Sequence, residues 1–134
     1  MIWLGLILAT AGPFLLWPLE KILPYPFLVE EIFKLFLALN ILSSSKDAKQ
    51  KLQNVVLVGL LFAFSETFLY FLDIFQSSSV IFFQRITLTS ALHVTTLVLL
   101  ILFGLKGKKF IFLGVILAAA IHWGYNFFIP QLLR

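Results

Sequence analysis

Val29-Glu30-Glu31-Ile32-Phe33-Lys34 sets two adjacent carboxylates and an ammonium group inside a run, from about Phe27 to Leu42, that is otherwise suited to hydrocarbon. An ionised side chain near a bilayer centre costs about 2.5–3.5 kcal/mol on insertion scales, so a cluster of this kind demands a protein interior to receive it. Outward from this stretch the same conflict recurs at Glu66, His93, His122 and Asn126, carried by three further apolar segments. The chain therefore reads as an all-α integral membrane protein, a bundle whose polar residues face one another.

Composition supports that class. Of 134 residues, 61% are apolar and 12% charged, with a mean hydropathy of +1.06, whereas charged residues make up about a quarter of an ordinary soluble domain. At roughly 20 residues per span there is room for about five transmembrane helices and no separate soluble domain. The chain has no cysteine, which removes disulfides, thiolate nucleophiles and cysteine-ligated metals. The net charge of +4 is concentrated in two short loops, so it reports membrane topology and not a nucleic-acid footprint; the expected surroundings are the lipid bilayer.

Taken in order, the first span runs from about Ile2 to Trp17 and closes at Trp17-Pro18. Ala9-Thr10-Ala11 offers small residues after the apolar stretch, as a signal peptide would, but no Lys or Arg precedes the run, so a membrane helix is the favoured reading and a cleaved signal peptide the alternative. Leu19 to Pro26, with Glu20-Lys21 and prolines at 24 and 26, reads as a connection. The second span, Phe27 to Leu42, is followed by the basic loop Lys46 to Lys51, and the third runs from about Gln53 to Phe75, with Asp73 near its end. A polar turn from Gln76 to Ser79 leads to the fourth span, Val80 to Phe103, then to a second basic loop, Gly104 to Lys109. The fifth, Phe110 to Phe128, is closed by Pro130. The expected organisation is an N-terminal helix and connection (1–26), a polar catalytic core formed by the last four helices (27–129), and a tail (130–134). With five spans, Lys46, Lys49, Lys51, Lys106, Lys108 and Lys109 fall on the side of the N-terminus, and Lys21 and Arg134 opposite. The positive-inside rule then predicts N-terminus in and C-terminus out.

Residues four apart share a helix face. Glu30 with Lys34, Glu66 with Tyr70, Arg85 with Thr89 and His93, and His122 with Asn126 give each of the last four spans one polar stripe, and such stripes turn inward in a membrane bundle. Glu30, Glu31, Glu66, His122 and Asn126 fall in the half away from the basic loops, which places a cavity in the outer half of the bundle. Glu31 lies about 100° round its helix from Glu30, so one carboxylate is expected to orient while the other reacts. Lys34 reads as structural and Arg85 as an anchor at the outer boundary.

Two Glu, two His and an Asn supply what hydrolysis of a peptide bond needs without a Ser or Cys nucleophile. A carboxylate takes a proton from water while His and Asn donate to the oxyanion. Alternatively, Glu66, His93 and His122 hold a Zn2+ with an open position, leaving Glu30 or Glu31 as the base. With no H-E-x-x-H, those ligands would come from different helices.

Glu30-Glu31-x-x-Lys34, Phe62-x-x-x-Glu66 with Tyr70 beyond it, Arg85 before His93 with Thr96 after it, and His122-x-x-x-Asn126 follow in order on separate hydrophobic segments. In this the chain resembles the PrsW proteases, within the larger group of intramembrane proteases that includes the CAAX-processing and Abi proteins. The resemblance covers about Leu28 to Phe128 and implies an enzyme of a prokaryotic cell membrane that cuts a membrane-anchored protein or peptide. It implies that Glu30 and Glu31 activate water, that Glu66 and His93 assist or ligate, and that His122 and Asn126 steady the oxyanion. The group includes metal-dependent and glutamate-dependent members, and Thr67 stands where such sequences usually carry Asn. The alternative is a non-catalytic scaffold whose polar core holds a partner helix; a third reading is a proton or ion pathway. A full set of base and oxyanion donors favours hydrolysis, and the lack of two related halves speaks against a transporter. Nothing in the sequence indicates an oligomeric state.

Overall fold

The computed structural model describes residues 2–44, 47–71, 79–107 and 109–132, and every regular element in them is a helix. These are α1 (Ile2–Ile22), α2 (Pro26–Ser44), α3 (Ala48–Leu69), α4 (Ser79–Lys106) and α5 (Ile111–Leu132). The expected turn at Gln76 and the residues Asp73, Phe75, Lys46, Lys108 and Arg134 lie outside the described residues. Helices α1, α3, α4 and α5 are each long and apolar enough to cross a membrane. The fifth, α2, carries the three charges, and its place in the bundle explains how they are tolerated.

Helix α2 is the hub. It packs against all four other helices, which follow one another around it in the order α1, α3, α4, α5, with no contact between α1 and α5 among the described residues. Glu30, Glu31, Lys34, Leu37, Ala38 and Ile41 are buried, whereas Leu28, Ile32, Phe36 and Leu39 form an exposed apolar stripe. The charged face of α2 is thus inside protein and its hydrocarbon-compatible face outside, the arrangement that minimises the transfer cost.

Below the polar residues the interior is apolar. Leu37, Ala38 and Ile41 of α2 meet Val55, Val58 and Phe62 of α3 and Leu97, Leu100 and Ile101 of α4. Membrane helices gain little from hydrophobic burial against one another and depend on close van der Waals approach. Gly59 shows this: a Cβ there would lie 3.0 Å from the Val94 Cα on α4. Gly12 of α1 likewise lies flat against the Phe33 ring, 2.6 Å from where its Cβ would stand. Ser65 of α3 donates a hydrogen bond to the Thr10 carbonyl, in the turn that Pro13 interrupts. The bond ties α3 to α1 through a polar side chain; the carbonyl that Pro13 leaves without its helical partner is that of Ala9, one residue earlier.

Four helix ends differ most from the sequence expectation. Helix α1 continues through Pro18 to Ile22 and takes in Glu20 and Lys21. A single proline removes one backbone bond, and Lys21 folds back so that its Nζ lies 3.5 Å above the Trp17 ring. Helix α3 starts at Ala48 because Asp47 caps it, accepting from the backbone N–H groups of Lys49 (3.3 Å) and Gln50 (3.1 Å). Its last helical residue is Leu69, with Tyr70 as C-cap. Helix α5 runs through Pro130 to Leu132, the proline interrupting the ladder only in its final turn.

Candidate active site

The antiparallel arrangement brings the start of α2, the end of α3 and the middle of α4 and α5 to one level. Glu30 and Glu31 sit in the second turn of α2, Glu66 in the last turn of α3, His93 midway along α4 and His122 midway along α5. Glu30, Glu31, His93 and His122 are buried. The side chain of Glu66 keeps 24% of its surface, so the site approaches the surface beside α3.

The two adjacent glutamates do separate jobs, as their angular separation requires. Glu31 Oε1 is 2.6 Å from Lys34 Nζ and 2.7 Å from His122 Nδ1. Lys34 also donates to Thr96 Oγ1 at 3.2 Å. Lys34 therefore pairs with Glu31, three residues back, and not with Glu30, because His122 and Thr96 converge on that side of α2. Removing two charges from water is repaid only when each is held by further hydrogen bonds. Here Glu31 gains the imidazole and Lys34 the threonine hydroxyl.

Glu30 faces the other way. One ligand atom each from Glu30, Glu66 and His93 lie within 4.8 Å of one another. His93 Nε2 is in direct contact with Glu66 Oε2, and the His93 ring rests on Phe62 with centroids 4.9 Å apart. Glu30 Oε2 and His93 Nδ1 are buried with no hydrogen-bond partner among the described residues. An unpartnered buried polar atom costs about 1–3 kcal/mol, and two carboxylates with an imidazole are a donor set that suits a divalent metal such as Zn2+. The residues present fit such an ion. His122 Nε2 stands 3.9 Å from Glu30 Oε2, and the His93 and His122 rings are perpendicular with centroids 5.8 Å apart.

Of the residues singled out in the sequence, Glu30, Glu31, Glu66, His93 and His122 come together. Asn126 lies one turn outward from His122, is exposed and has no hydrogen-bond partner among the described residues. Arg85 is exposed. The clustered ligand atoms are those of Glu30, Glu66 and His93, with His122 held instead by Glu31. Two features escaped the sequence reading. Glu20 of α1 lies within electrostatic reach of Glu66 and Glu30; its signal was a carboxylate one turn past a tryptophan, hidden by the assumption that Pro18 ends the helix. Thr89 and Tyr125, whose hydroxyls are 2.9 Å apart, join α4 to α5 beside the histidines.

A family model described as PrsW family intramembrane metalloprotease matches residues 26–133. No curated protein and no solved structure matches the chain.

Proposed function

Because the chain belongs to the PrsW family of intramembrane metalloproteases, we propose that it is an endopeptidase that hydrolyses a membrane-anchored protein or peptide at the Glu30–Glu66–His93 cluster. The observation that carries this reading is the convergence of those three ligand atoms, from three helices, within 4.8 Å inside a membrane bundle. Glu30, Glu66 and His93 would hold the metal, with Zn2+ favoured by the oxygen and nitrogen donors. A bound divalent ion there lowers the pKa of water and polarises a carbonyl.

The chain's own groups supply the rest. Glu31 accepts the Nδ1 proton of His122 and is itself neutralised by Lys34, which leaves His122 Nε2 as the basic nitrogen beside Glu30. This is the orienting-carboxylate arrangement that makes imidazole a general base. His122 takes the proton of the attacking water and returns it to the leaving amine. Asn126, one turn outward on the same face of α5, offers its amide to the carbonyl oxygen of an arriving substrate. Lys49, Lys51, Lys106 and Lys109 lie at the helix ends opposite Glu30 and Glu66. The positive-inside rule therefore favours N-terminus in, C-terminus out and a site in the outer half of a prokaryotic cell membrane. Residues 27–129 form the catalytic core in this reading, with α1 completing its wall.

The test is metal content measured beside cleavage of a panel of single-span peptides, for wild type and His93→Ala. One equivalent of zinc and cleavage in wild type, both lost in the variant, is the expected result. Cleavage that survives in a metal-free His93→Ala protein would overturn the metal mechanism in favour of water activated by Glu30 alone. Metal binding without cleavage of any peptide would favour the scaffold.

A further inference from the structure

Hydroxyls on membrane helices usually satisfy their own proton locally. Thr10 donates to the Leu6 carbonyl, Thr67 to that of Ala63 and Thr87 to that of Phe83, each four residues back. This is the back-bonding that lets threonine sit in a helix. Thr89 departs from the pattern. It is buried, and its one side-chain hydrogen bond among the described residues crosses to Tyr125 on α5, Oγ1 to Oη 2.9 Å. Each hydroxyl has one proton, and either one can occupy this bond. With Thr89 donating, the Tyr125 O–H is left to donate elsewhere.

Its place gives that proton a use. Thr89 is one turn before His93 on α4, and Tyr125 is three residues after His122 on α5, so the pair spans the two histidine helices just outward of the site. Tyr125 also lines a groove of about 420 Å³ between α4 and α5, together with Leu88, Ala91, Thr95 and Gly124. A Cβ at Gly124 would meet nothing within 4 Å, so the groove wall beside the tyrosine is open to an entering chain. Half-buried Tyr125 thus lines the groove while its hydroxyl meets Thr89, one turn before His93 on α4.

We propose that Tyr125 is a further catalytic residue, whose hydroxyl, held by Thr89, donates a hydrogen bond to the scissile carbonyl oxygen as negative charge develops on it. Thr89 is the positioning residue. This rests on the hydrolase reading above. The tyrosine proton is shared with the oxyanion and not transferred, so the proton balance remains that of water, His122 and the leaving amine. A phenol aimed at the oxyanion acts mainly in the transition state, so its loss lowers kcat more than it raises KM.

The experiment compares wild type with Tyr125→Phe, Thr89→Val and Thr89→Ser in cleavage of a single-span peptide, and in binding of a phosphinic peptide mimicking the tetrahedral intermediate. Tyr125→Phe is expected to lower kcat about 100-fold, the size typical of one lost oxyanion donor, with KM within threefold and zinc stoichiometry unchanged. Phosphinic-peptide affinity falls in parallel while uncleaved amide-peptide affinity holds. Thr89→Val gives a smaller loss, restored by Thr89→Ser. A Tyr125→Phe enzyme with kcat within twofold of wild type, or one whose loss follows zinc loss or a rise in KM, overturns the role of Tyr125 and leaves the hydrolase reading standing. A wild type that neither cuts peptide nor binds the phosphinic compound overturns both.

Discussion

Helices α2, α3 and α4 each carry two different interiors along their length. On α2 the buried face is Glu30, Glu31 and Lys34 over two turns, then Leu37, Ala38 and Ile41 over the next two; on α4 it is Thr89, His93 and Thr96 with Leu92 among them, then Leu97, Leu100 and Ile101. The polar half is arranged around groups that would be expensive in lipid and includes buried atoms without partners. The apolar half contains close-packed side chains and a glycine contact that brings α3 within touching distance of α4. The division teaches that one half of the bundle holds the helices together so that the other can carry frustrated chemistry. Substitutions in the two halves should therefore separate activity from stability.

The largest separation is expected at Glu30. Its Oε2 is buried with no hydrogen-bond partner among the described residues; His122 Nε2 stands 3.9 Å away, and Glu66 and His93 each bring a ligand atom within 4.8 Å of one on Glu30. Glu30→Gln should lower kcat by on the order of 10³-fold, within the range for loss of a group acting on the reacting centre, and reduce bound zinc. Its unfolding midpoint in mixed micelles should be unchanged or higher, because an amide is less costly to bury than a carboxylate. A large fall in that midpoint would mean that Glu30 is part of the scaffold and would erase the contrast between the two halves.

Lys34 stands at the boundary between them. It is fully buried, joined to Glu31 at 2.6 Å and to Thr96 at 3.2 Å. Lys34→Met should destabilise the protein by about 4 kcal/mol, since removing one partner leaves a buried carboxylate uncompensated. The double variant Glu31→Gln/Lys34→Met should recover more than half of that loss, measured as a coupling energy in a double-mutant cycle. No recovery would show that Lys34 acts through its contact with Thr96 and its stem, and not through the ion pair.

Much of this division is legible in the sequence, and the remainder has a definite physical origin. Polar residues on separate apolar segments had to turn inward, because lipid offers them no partner. The five that converge were all identifiable that way. Which partner each one takes was not: Glu30 and Glu31 are adjacent, the convergence of His122 and Thr96 from other helices decides which carboxylate meets Lys34, and the rotation of α2 decides which one meets His93. The same rotation decides whether His122 joins the metal cluster or serves Glu31. Helix ends were misread where a proline was given the weight it has in water. Pro18 and Pro130 each break one backbone bond and leave the helix running, and that error hid Glu20 in a supposed loop. The Thr89–Tyr125 bond has no sequence signature, since each residue is common at a helix surface and only the α4–α5 packing brings them together.

The smallest effect tests the apolar half by itself. Leu100 is fully buried on α4, and its Cδ2 lies 3.5 Å from where a Cβ on Gly114 of α5 would stand. Removing the side chain opens a cavity at a contact made of glycine on one side, where little can collapse to fill it. Leu100→Ala should therefore cost about 3 kcal/mol, near the middle of the range for leucine truncation in a packed core. The polar cluster is on the other half of the helix, two turns from Leu100 to His93, so kcat per folded molecule should stay within about twofold, as expected for sites that share no partner. Unfolding in mixed micelles and turnover normalised to folded protein would check the two sides together. If Leu100→Ala lost activity in proportion to stability, the halves would be one cooperative unit, and the site would depend on the whole packing of α4 against α5 and not only on its own hydrogen bonds.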